Sequence, residues 1–231
     1  MHFRPLPLLT LFAIPALALL VGLGLWQLDR AETKRSQIAA FEAAREAPAL
    51  ALGDLLCGTG EPFGRRALAP EPAGDTVLRV YGRTREGAPG WRLFRPAEAP
   101  GCVQARLILM ETGFAPLDGE AREPGDAAGL IYAAPPRAGA FTPGPEPQER
   151  RFYAFDRTAL AGALSVAPEA LHAQGWLAAD DGQLPAVLAE VPPERHVGYA
   201  ITWFGFAFAL IVVYGAFHAA RGRLAFTGGK D

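Results

Sequence analysis

A histidine and two large aromatic residues stand where the last apolar stretch of the chain begins. In residues 195–221, RHVGYAITWFGFAFALIVVYGAFHAAR, His196, Tyr199 and Trp203 follow each other at spacings of three and four. These spacings place the three side chains on one face of a helix. A histidine at the edge of an apolar helix either points to water or serves as an axial ligand of a metal ion or a haem iron. The aromatic residues are also typical of an interfacial belt, so both interpretations stay open.

Small residues form a second strip on the same predicted helix. They are Gly198, Thr202, Gly205 and Ala209, at spacings of four, three and four. Small side chains let the backbone of a neighbouring helix approach closely in a membrane. This strip is therefore predicted to be a helix-packing face, and the apolar stretch 8–26 is predicted to be its partner.

Two stretches are long and apolar enough to cross a bilayer. Residues 197–217 and residues 8–26 carry no charged side chain, and about twenty helical residues span roughly 30 Å, the thickness of the hydrocarbon core. Pro15 lies inside the first stretch, where membrane helices tolerate a kink. A cleaved signal peptide is the alternative, but the apolar run is too long for a signal core, so a retained helix is favoured. The polar residues that follow predict a helix continuing out of the membrane as far as Pro48.

The middle of the chain is rich in strand and turn signals. Most of the 21 prolines and 26 glycines lie there, which favours short strands over a helical bundle. Residues 77–85 alternate, with arginines on one face, and a second strand, WRLFRP, follows a turn. A third strand is predicted over residues 103–112, and residues 50–73 are interpreted as a connector. Asp156 is predicted to cap the start of a short helix. Arg83 and Arg85 are predicted to dock an anionic group, because arginine grips carboxylates in a bidentate manner. The alternative is a solvated sheet face.

The predicted fold class is a membrane protein of the α+β type, in which two transmembrane helices flank one β-rich extramembrane domain. Positively charged residues after the last span favour a cytoplasmic C-terminus, whereas those after the first span favour the opposite orientation. Long loops cross the membrane largely regardless of charge, so the residues after the last span are given more weight. The domain is therefore predicted to be periplasmic or, in an organelle, to lie in the intermembrane space. The predicted parts are a cytoplasmic head 1–7, a first span 8–26, a β-rich domain 27–196, a second span 197–217 and a cytoplasmic tail 218–231.

Several classes of function find no support in the composition. A formal net charge of −2 provides no basic surface for nucleic acid, which is therefore not a predicted partner. The four histidines are scattered, and neither zinc spacing nor a C-x-x-C-H haem attachment occurs. No catalytic constellation is recognisable, so the protein is not predicted to be an enzyme. Cys57 and Cys102 would form one disulfide in an oxidising compartment and stay free thiols in the cytosol.

Four segments, in order along the chain, resemble motifs of a known family. WQLDRAETK, with Trp26, Gln27, Arg30 and Lys34, resembles a W-Q-x-x-R-x-x-K signature, and GRTREGAPGW resembles a central R-T-R-x-G-x-P-G-aromatic hairpin. FTPGPEPQERRFYAFD is similar to an F-x-P segment with an aromatic strand, and HVGYAITWF is similar to H-L-x-Y-A-x-T-W-F. The family is the Surfeit-locus protein one family, whose members are assembly factors of cytochrome c oxidase.

The resemblance implies an assembly factor that assists haem a insertion into the large catalytic subunit of a haem-copper cytochrome c oxidase. It implies a multi-pass protein of the bacterial inner membrane with its main domain in the periplasm. The implied partners are the oxidase large subunit, membrane lipid and, as a further partner, haem a synthase. His196 is then expected to ligate the iron of a transiently held haem a, with Tyr199, Trp203 and Trp26 near the porphyrin. The alternative is a membrane-anchored scaffold that binds oxidase subunits without binding haem.

Overall fold

The protein divides into a helical unit and a sheet unit. The computed structural model describes residues 2–84, 87–117 and 129–225. The helical unit comprises Met1–Ile38 and Ala186–Asp231, and the sheet unit comprises Ala39–Pro185. The sheet unit is thus shorter at both ends than the predicted β-rich domain 27–196.

Two long helices make up most of the helical unit. Helix α1 runs over Pro7–Glu46 and α5 over Pro193–Ala220, and the short α4 covers Ala186–Ala189. Strand β1, His2–Phe3, pairs in antiparallel fashion with β9, Leu224–Ala225. Both long helices are candidate membrane-spanning segments by length and apolar composition. The predicted pair of helices is confirmed, and the first continues well beyond the apolar stretch, as its polar sequence predicts.

Helices α1 and α5 pack in antiparallel fashion along a seam that repeats every three and four residues, as in coiled coils. Residues near the start of α1 contact residues near the end of α5, as the hydrogen bond between Thr10 and Tyr214 shows. The seam residues of α1 are Thr10, Ala13, Leu17, Leu20, Gly24, Gln27 and Ala31. Those of α5 are Pro193, His196, Ala200, Trp203, Ala207, Leu210 and Tyr214.

The predicted small-residue strip does not face α1. Gly198, Thr202, Gly205 and Ala209 are all exposed, and a Cβ added to Gly198 or Gly205 would meet nothing within 4 Å. The strip and the seam share the same spacing but differ by two positions, which turns them about 200° apart on the helix. The prediction that this strip packs against α1 is therefore wrong.

Small residues nevertheless allow the close approach of the two helices. Ala200 and Ala207 of the seam are only 1% and 5% exposed. On α1, a Cβ added to Gly24 would lie 2.5 Å from the Phe204 ring. Glycine is required at this position because the aromatic ring occupies the space of any larger side chain.

A mixed sheet forms the centre of the sheet unit. Within residues 39–84, 87–117 and 129–185 it has seven strands in the order β2-β6-β8-β5-β4-β3-β7. Neighbours are antiparallel except β3 with β7 and β5 with β8. The strands are β2 Arg66–Ala67, β3 Leu78–Arg83, β4 Pro89–Glu98, β5 Leu107–Pro116, β6 Leu130–Ala133, β7 Arg151–Phe152 and β8 Trp176–Ala179. Helices α2, Leu52–Cys57, and α3, Arg157–Ala163, complete the unit.

The core of the sheet unit follows the alternation of its strands. Ile108 and Met110 of β5 belong to one buried cluster with Leu52 and Leu55 of α2. Successive strand residues point to opposite faces, so Leu109, 1% exposed, faces the other side. The cluster also contains Ala67, Ala97, Leu130, Tyr132 and Leu177.

Aromatic stacking is prominent elsewhere in the core. The rings of Phe94 and Trp176 are stacked with centroids 4.2 Å apart, and Phe155 meets Trp176 edge-on at 6.1 Å. Helix α3 begins directly after Phe155, and Asp156 caps it by accepting a hydrogen bond of 3.0 Å from the Ala159 backbone nitrogen. This cap confirms the helix start that the sequence predicts.

The expected elements of the domain differ from the observed ones in two places. Residues 50–73, interpreted as a connector, contain α2 and β2, because Leu52 and Leu55 bury against the sheet. The third strand, expected over 103–112, begins at Leu107 and continues to Pro116. Both differences reflect tertiary packing that the local sequence does not reveal.

One disulfide cross-links the sheet unit. Cys57, the last residue of α2, is bonded to Cys102 in the loop before β5, with 5.9 Å between their Cα atoms. This is the bridge that the sequence left open. Disulfides persist in oxidising compartments and are rare in the cytosol.

We expect removal of this disulfide to destabilise the sheet unit. The bonded cysteines are 45 residues apart, and loop-closure entropy of that length corresponds to about 4 kcal/mol of unfolding free energy. Urea unfolding of Cys57→Ala/Cys102→Ala, followed by tryptophan fluorescence, should show this loss relative to the oxidised protein. Reduced wild-type protein is the control, and thiol labelling of unreduced protein should find no reactive cysteine.

Candidate functional site

His196 lies in the first turns of α5, at the point where the seam contains polar side chains. The helix begins at Pro193, which is favoured in a first helical turn because its missing N–H would have no helical partner. The Nδ1 atom of His196 is 2.8 Å from the Oε1 atom of Gln27 on α1. The hydrogen bond joins the two helices across 169 positions of sequence.

The second ring nitrogen of His196 has no protein partner in the part of the chain that the structure describes. An amide oxygen is an acceptor only, so the imidazole donates from Nδ1 to Gln27. In a neutral ring this leaves a lone pair on Nε2. Such a nitrogen is the usual ligand atom of a histidine that binds a metal or a haem iron.

The aromatic residues predicted to surround the ligand are only partly brought together. Trp203 follows His196 and Ala200 on the seam of α5. Its ring meets the Phe206 ring edge-on, with 6.2 Å between the ring centroids. Tyr199 and Trp26 are 51% and 53% exposed. The structure thus places Trp203 on the seam and leaves Tyr199 and Trp26 turned outward. The outward position of these two rings is compatible both with an interfacial belt and with contact to a flat apolar ligand.

Gln27, the hydrogen-bond partner of His196, is not among the cofactor-binding residues predicted from the sequence. It follows Trp26 in the W-Q-x-x-R-x-x-K motif. Its position on the seam face of α1 is the feature of the sequence that could have indicated its contact with α5. Gly24, Gln27 and Ala31 share the seam spacing of α1, so the glutamine side chain points at α5 rather than outward.

The opposite end of the seam also contains polar side chains, but they are fully engaged. His218 is completely buried. Its Nε2 accepts a hydrogen bond of 3.1 Å from the Leu6 backbone nitrogen, and its Nδ1 lies 2.8 Å from the Tyr214 carbonyl oxygen. Both ring nitrogens are occupied, so this histidine joins the helices and has no free ligand atom.

The arginine face of the β3–β4 hairpin is less open than the sequence predicts. Arg83 donates to the Gly87 carbonyl at 2.9 Å, Arg92 makes a bidentate pair with Glu111, and Arg95 pairs with Asp75. Arg85 lies outside the described residues. The anion-docking role of Arg83 and Arg85 remains a prediction, and the intramolecular partners reduce the charge available for it.

Glu111 organises the buried polar groups beneath this hairpin. It is 6% exposed, and it accepts from Arg92 and, at 2.7 Å, from the Ala179 backbone nitrogen of β8. Burial alone would lower the pKa of Arg92, but the hydrogen bond and charge of Glu111 raise that pKa above its usual value. A paired buried charge of this kind supports the sheet and is unsuited to acid–base chemistry.

A second histidine of the sheet unit lines a small polar cavity. His172 Nε2 is 2.9 Å from the Tyr132 hydroxyl, and the cavity of about 310 Å³ also includes Arg157. Burial, together with the positive charge of Arg157, lowers the pKa of His172. Burial, aided by the charge of Glu61, raises the pKa of Tyr132 to about 12. A phenol that keeps its proton therefore faces a neutral imidazole, as in a structural hydrogen bond.

Metal clusters do not occur in the residues that the structure describes. Within 2–84, 87–117 and 129–225, no group of three His, Cys, Asp or Glu side chains is close enough to hold a metal ion. Around His196 the described residues offer one ring nitrogen, Nε2, as a ligand atom.

The class that the fold defines is an α+β protein in which two candidate membrane-spanning helices flank a mixed-sheet unit. The profile of the SURF1 family matches residues 14–208, a range that contains both Gln27 and His196. The chain belongs to the SURF1 family, as its motifs predict. This family is associated with cytochrome c oxidase assembly. A search of curated protein sequences found no significant match.

We expect the helix pair to depend on Gly24 and not on Gly205. Gly24→Leu places a side chain into the volume of the Phe204 ring, whereas Gly205→Leu extends into open space. Spin labels on the exposed positions Leu28 and Ile201 would report the interhelical distance by pulsed electron resonance, without interference from the bonded native cysteines. The distance should lengthen or broaden in Gly24→Leu alone. An equal change in Gly205→Leu would refute the assigned seam.

Proposed function

We propose that the protein assists haem a insertion into the large subunit of a haem-copper cytochrome c oxidase, holding the haem transiently through His196. The observation that carries this proposal is the free Nε2 of His196, presented by a ring whose Nδ1 is bonded to Gln27 at 2.8 Å. Membership of a family associated with cytochrome c oxidase assembly supplies the reaction context. No catalytic constellation is needed, because delivery of a cofactor requires binding and release.

The residues present fit a haem. One imidazole nitrogen of His196 would serve as the axial ligand. Tyr199 and Trp203, within two helical turns of His196, and Trp26, next to Gln27, would provide apolar surface. When bound, haem a supplies the redox-active iron that the oxidase needs. The half-exposed state of Tyr199 and Trp26 leaves this ligand accessible to a partner, which suits a carrier that must release it.

The proposed location is the bacterial inner membrane, with the sheet unit in the periplasm. Two candidate spans return the chain to its starting side. The disulfide between Cys57 and Cys102 supports an oxidising compartment for the sheet unit. Arg221 and Arg223 after the second span favour a cytoplasmic C-terminus. The proposed partners are the oxidase large subunit, membrane lipid and haem a synthase.

We expect His196→Ala to lose bound haem a. Protein purified in detergent from cells that make haem a should show the haem spectrum, and the variant should bind at least about tenfold more weakly because the axial bond is lost. His172→Gln is the matched control, since it removes another imidazole at a position in the sheet unit and leaves the seam untouched. An unchanged haem load in His196→Ala would contradict the ligand assignment.

A second candidate function is a scaffold that binds oxidase subunits without haem. The observation that favours it is the outward position of Gly198, Thr202, Gly205 and Ala209, which α1 leaves uncovered. Small residues on an open helix face permit close packing by a helix of another protein. The strip that does not pack against α1 is thus suited to pack against a transmembrane helix of the oxidase.

For the scaffold we expect Gly205→Leu to abolish co-purification with the oxidase large subunit. The leucine blocks close helix approach from outside while the seam with α1 is kept. Gly22→Leu is the matched control, because Gly22 is an exposed glycine of α1 whose added Cβ also meets nothing within 4 Å. Retained co-purification in Gly205→Leu would count against this docking face.

A further inference from the structure

The amide of Gln27 lies on a helix face otherwise formed by small and apolar residues. Its seam neighbours on α1 are Gly24, one turn before, and Ala31, one turn after, and both are buried. A polar side chain in such surroundings is unfavourable unless its hydrogen bonds are made. The partner that the structure provides is the Nδ1 atom of His196 at 2.8 Å.

The chemistry of this contact selects one tautomer of His196. A carboxamide oxygen can only accept, so the proton of the neutral imidazole is held on Nδ1 and the lone pair on Nε2. Without a partner at Nδ1, an imidazole favours the Nε2–H form, which cannot ligate through Nε2. Histidines that bind metals nearly always donate their other ring N–H to a fixed acceptor, which orients the ring and raises its basicity.

We propose that Gln27 is the positioning residue of the haem site, holding His196 as the Nδ1–H tautomer with Nε2 presented to the iron. The inference rests on the proposed haem role of His196. The close approach of Phe204 to Gly24 supports it, since this contact fixes the spacing of α1 and α5 one turn away from Gln27. The ring orientation is thus set by two helices rather than by the rotamer of His196 alone.

A purely structural role for Gln27 is the competing explanation. The far end of the seam shows what such a role looks like, since the hydroxyl groups of Thr10 and Tyr214 also join α1 to α5 by a hydrogen bond. Thr10→Val removes that bond at a distance from His196 and is therefore the matched control. Gln27→Met removes the acceptor with little change in side-chain size, and Gln27→Glu restores an acceptor at the same length.

The first measurement needs no haem. Nitrogen-15 spectra of labelled histidine in the ligand-free, detergent-solubilised protein, above neutral pH, distinguish the two tautomers. We expect the Nδ1–H form of His196 in the wild type, in Thr10→Val and in Gln27→Glu, and a shift to the Nε2–H form in Gln27→Met. An unchanged Nδ1–H form in Gln27→Met would overturn the proposal.

The second measurement is titration of the same proteins with haem a. Loss of a partner that orients a ligating histidine typically weakens binding roughly 10- to 100-fold, which we expect for Gln27→Met but not for Thr10→Val. Gln27→Glu should recover the affinity and lower the reduction potential of the iron, because a carboxylate makes the imidazole a stronger donor. Wild-type affinity in Gln27→Met would overturn the proposal.

The two proposals fail in different ways. If His196→Ala binds haem a as the wild type does, the ligand assignment is wrong and the positioning role toward haem falls with it. If His196→Ala loses haem while Gln27→Met keeps both the wild-type affinity and the wild-type tautomer, only the role of Gln27 is wrong.

Discussion

The helix pair depends on one constraint, that polar groups among apolar surroundings must find partners within the protein. The seam of α1 and α5 meets this constraint by placing its polar side chains toward its two ends. Thr10, Tyr214 and His218 bond at one end, and Gln27 bonds His196 at the other. Between them the seam consists of small and apolar residues, from Ala13 to Gly24 on α1 and from Ala200 to Leu210 on α5.

The two polar ends differ in the hydrogen-bonding atoms that they leave unused. His218 is bonded through both ring nitrogens to backbone groups, since Nε2 accepts from Leu6, next to the start of α1, and Nδ1 bonds Tyr214 within α5. His196 is bonded through Nδ1 alone. Of these two histidines of α5, only His196 keeps a ring nitrogen without a protein partner among the described residues.

Much of the architecture was predictable because it follows from local pattern. The two apolar helices, the alternation of β3 with Leu78 and Val80 buried, and the cap of α3 by Asp156 all depend on neighbouring residues only. His196 was chosen as a candidate ligand from its place at the edge of an apolar helix, and that role stays a prediction. The family was also recognisable, since its motifs are short segments that match one by one.

The features that could not be predicted depend on which face of one element packs against which face of another. Two strips of α5 have the same three-and-four spacing, and the sequence favoured the one with glycines, although Ala200 and Ala207 form the buried one. Helix α2 was missed because Leu52 and Leu55 gain their stability from Ile108 and Met110, far away in sequence. Gln27 was overlooked for the same reason, since its partner lies 169 positions later.

The sheet unit relies on cross-links of two kinds. Glu111 ties Arg92 of β4 to the backbone of β8, so a single carboxylate connects three strands. The disulfide ties α2 to the loop before β5. Removing one member of a buried ion pair typically costs about 3–5 kcal/mol, comparable to the loss of a disulfide. A unit with many short strands and loops gains much of its order from these few long-range links.

The antiparallel seam has a consequence for the order of events during synthesis. Helix α1 is made first, and its partner α5 begins only at Pro193, after the whole sheet unit has been translated. At ribosomal rates of about 5–20 residues per second, the intervening stretch takes roughly 7 to 30 seconds. During this interval the amide of Gln27 and the hydroxyl of Thr10 lack their final partners. Throughout this interval the first helix is therefore present without the α5 residues that complete its seam.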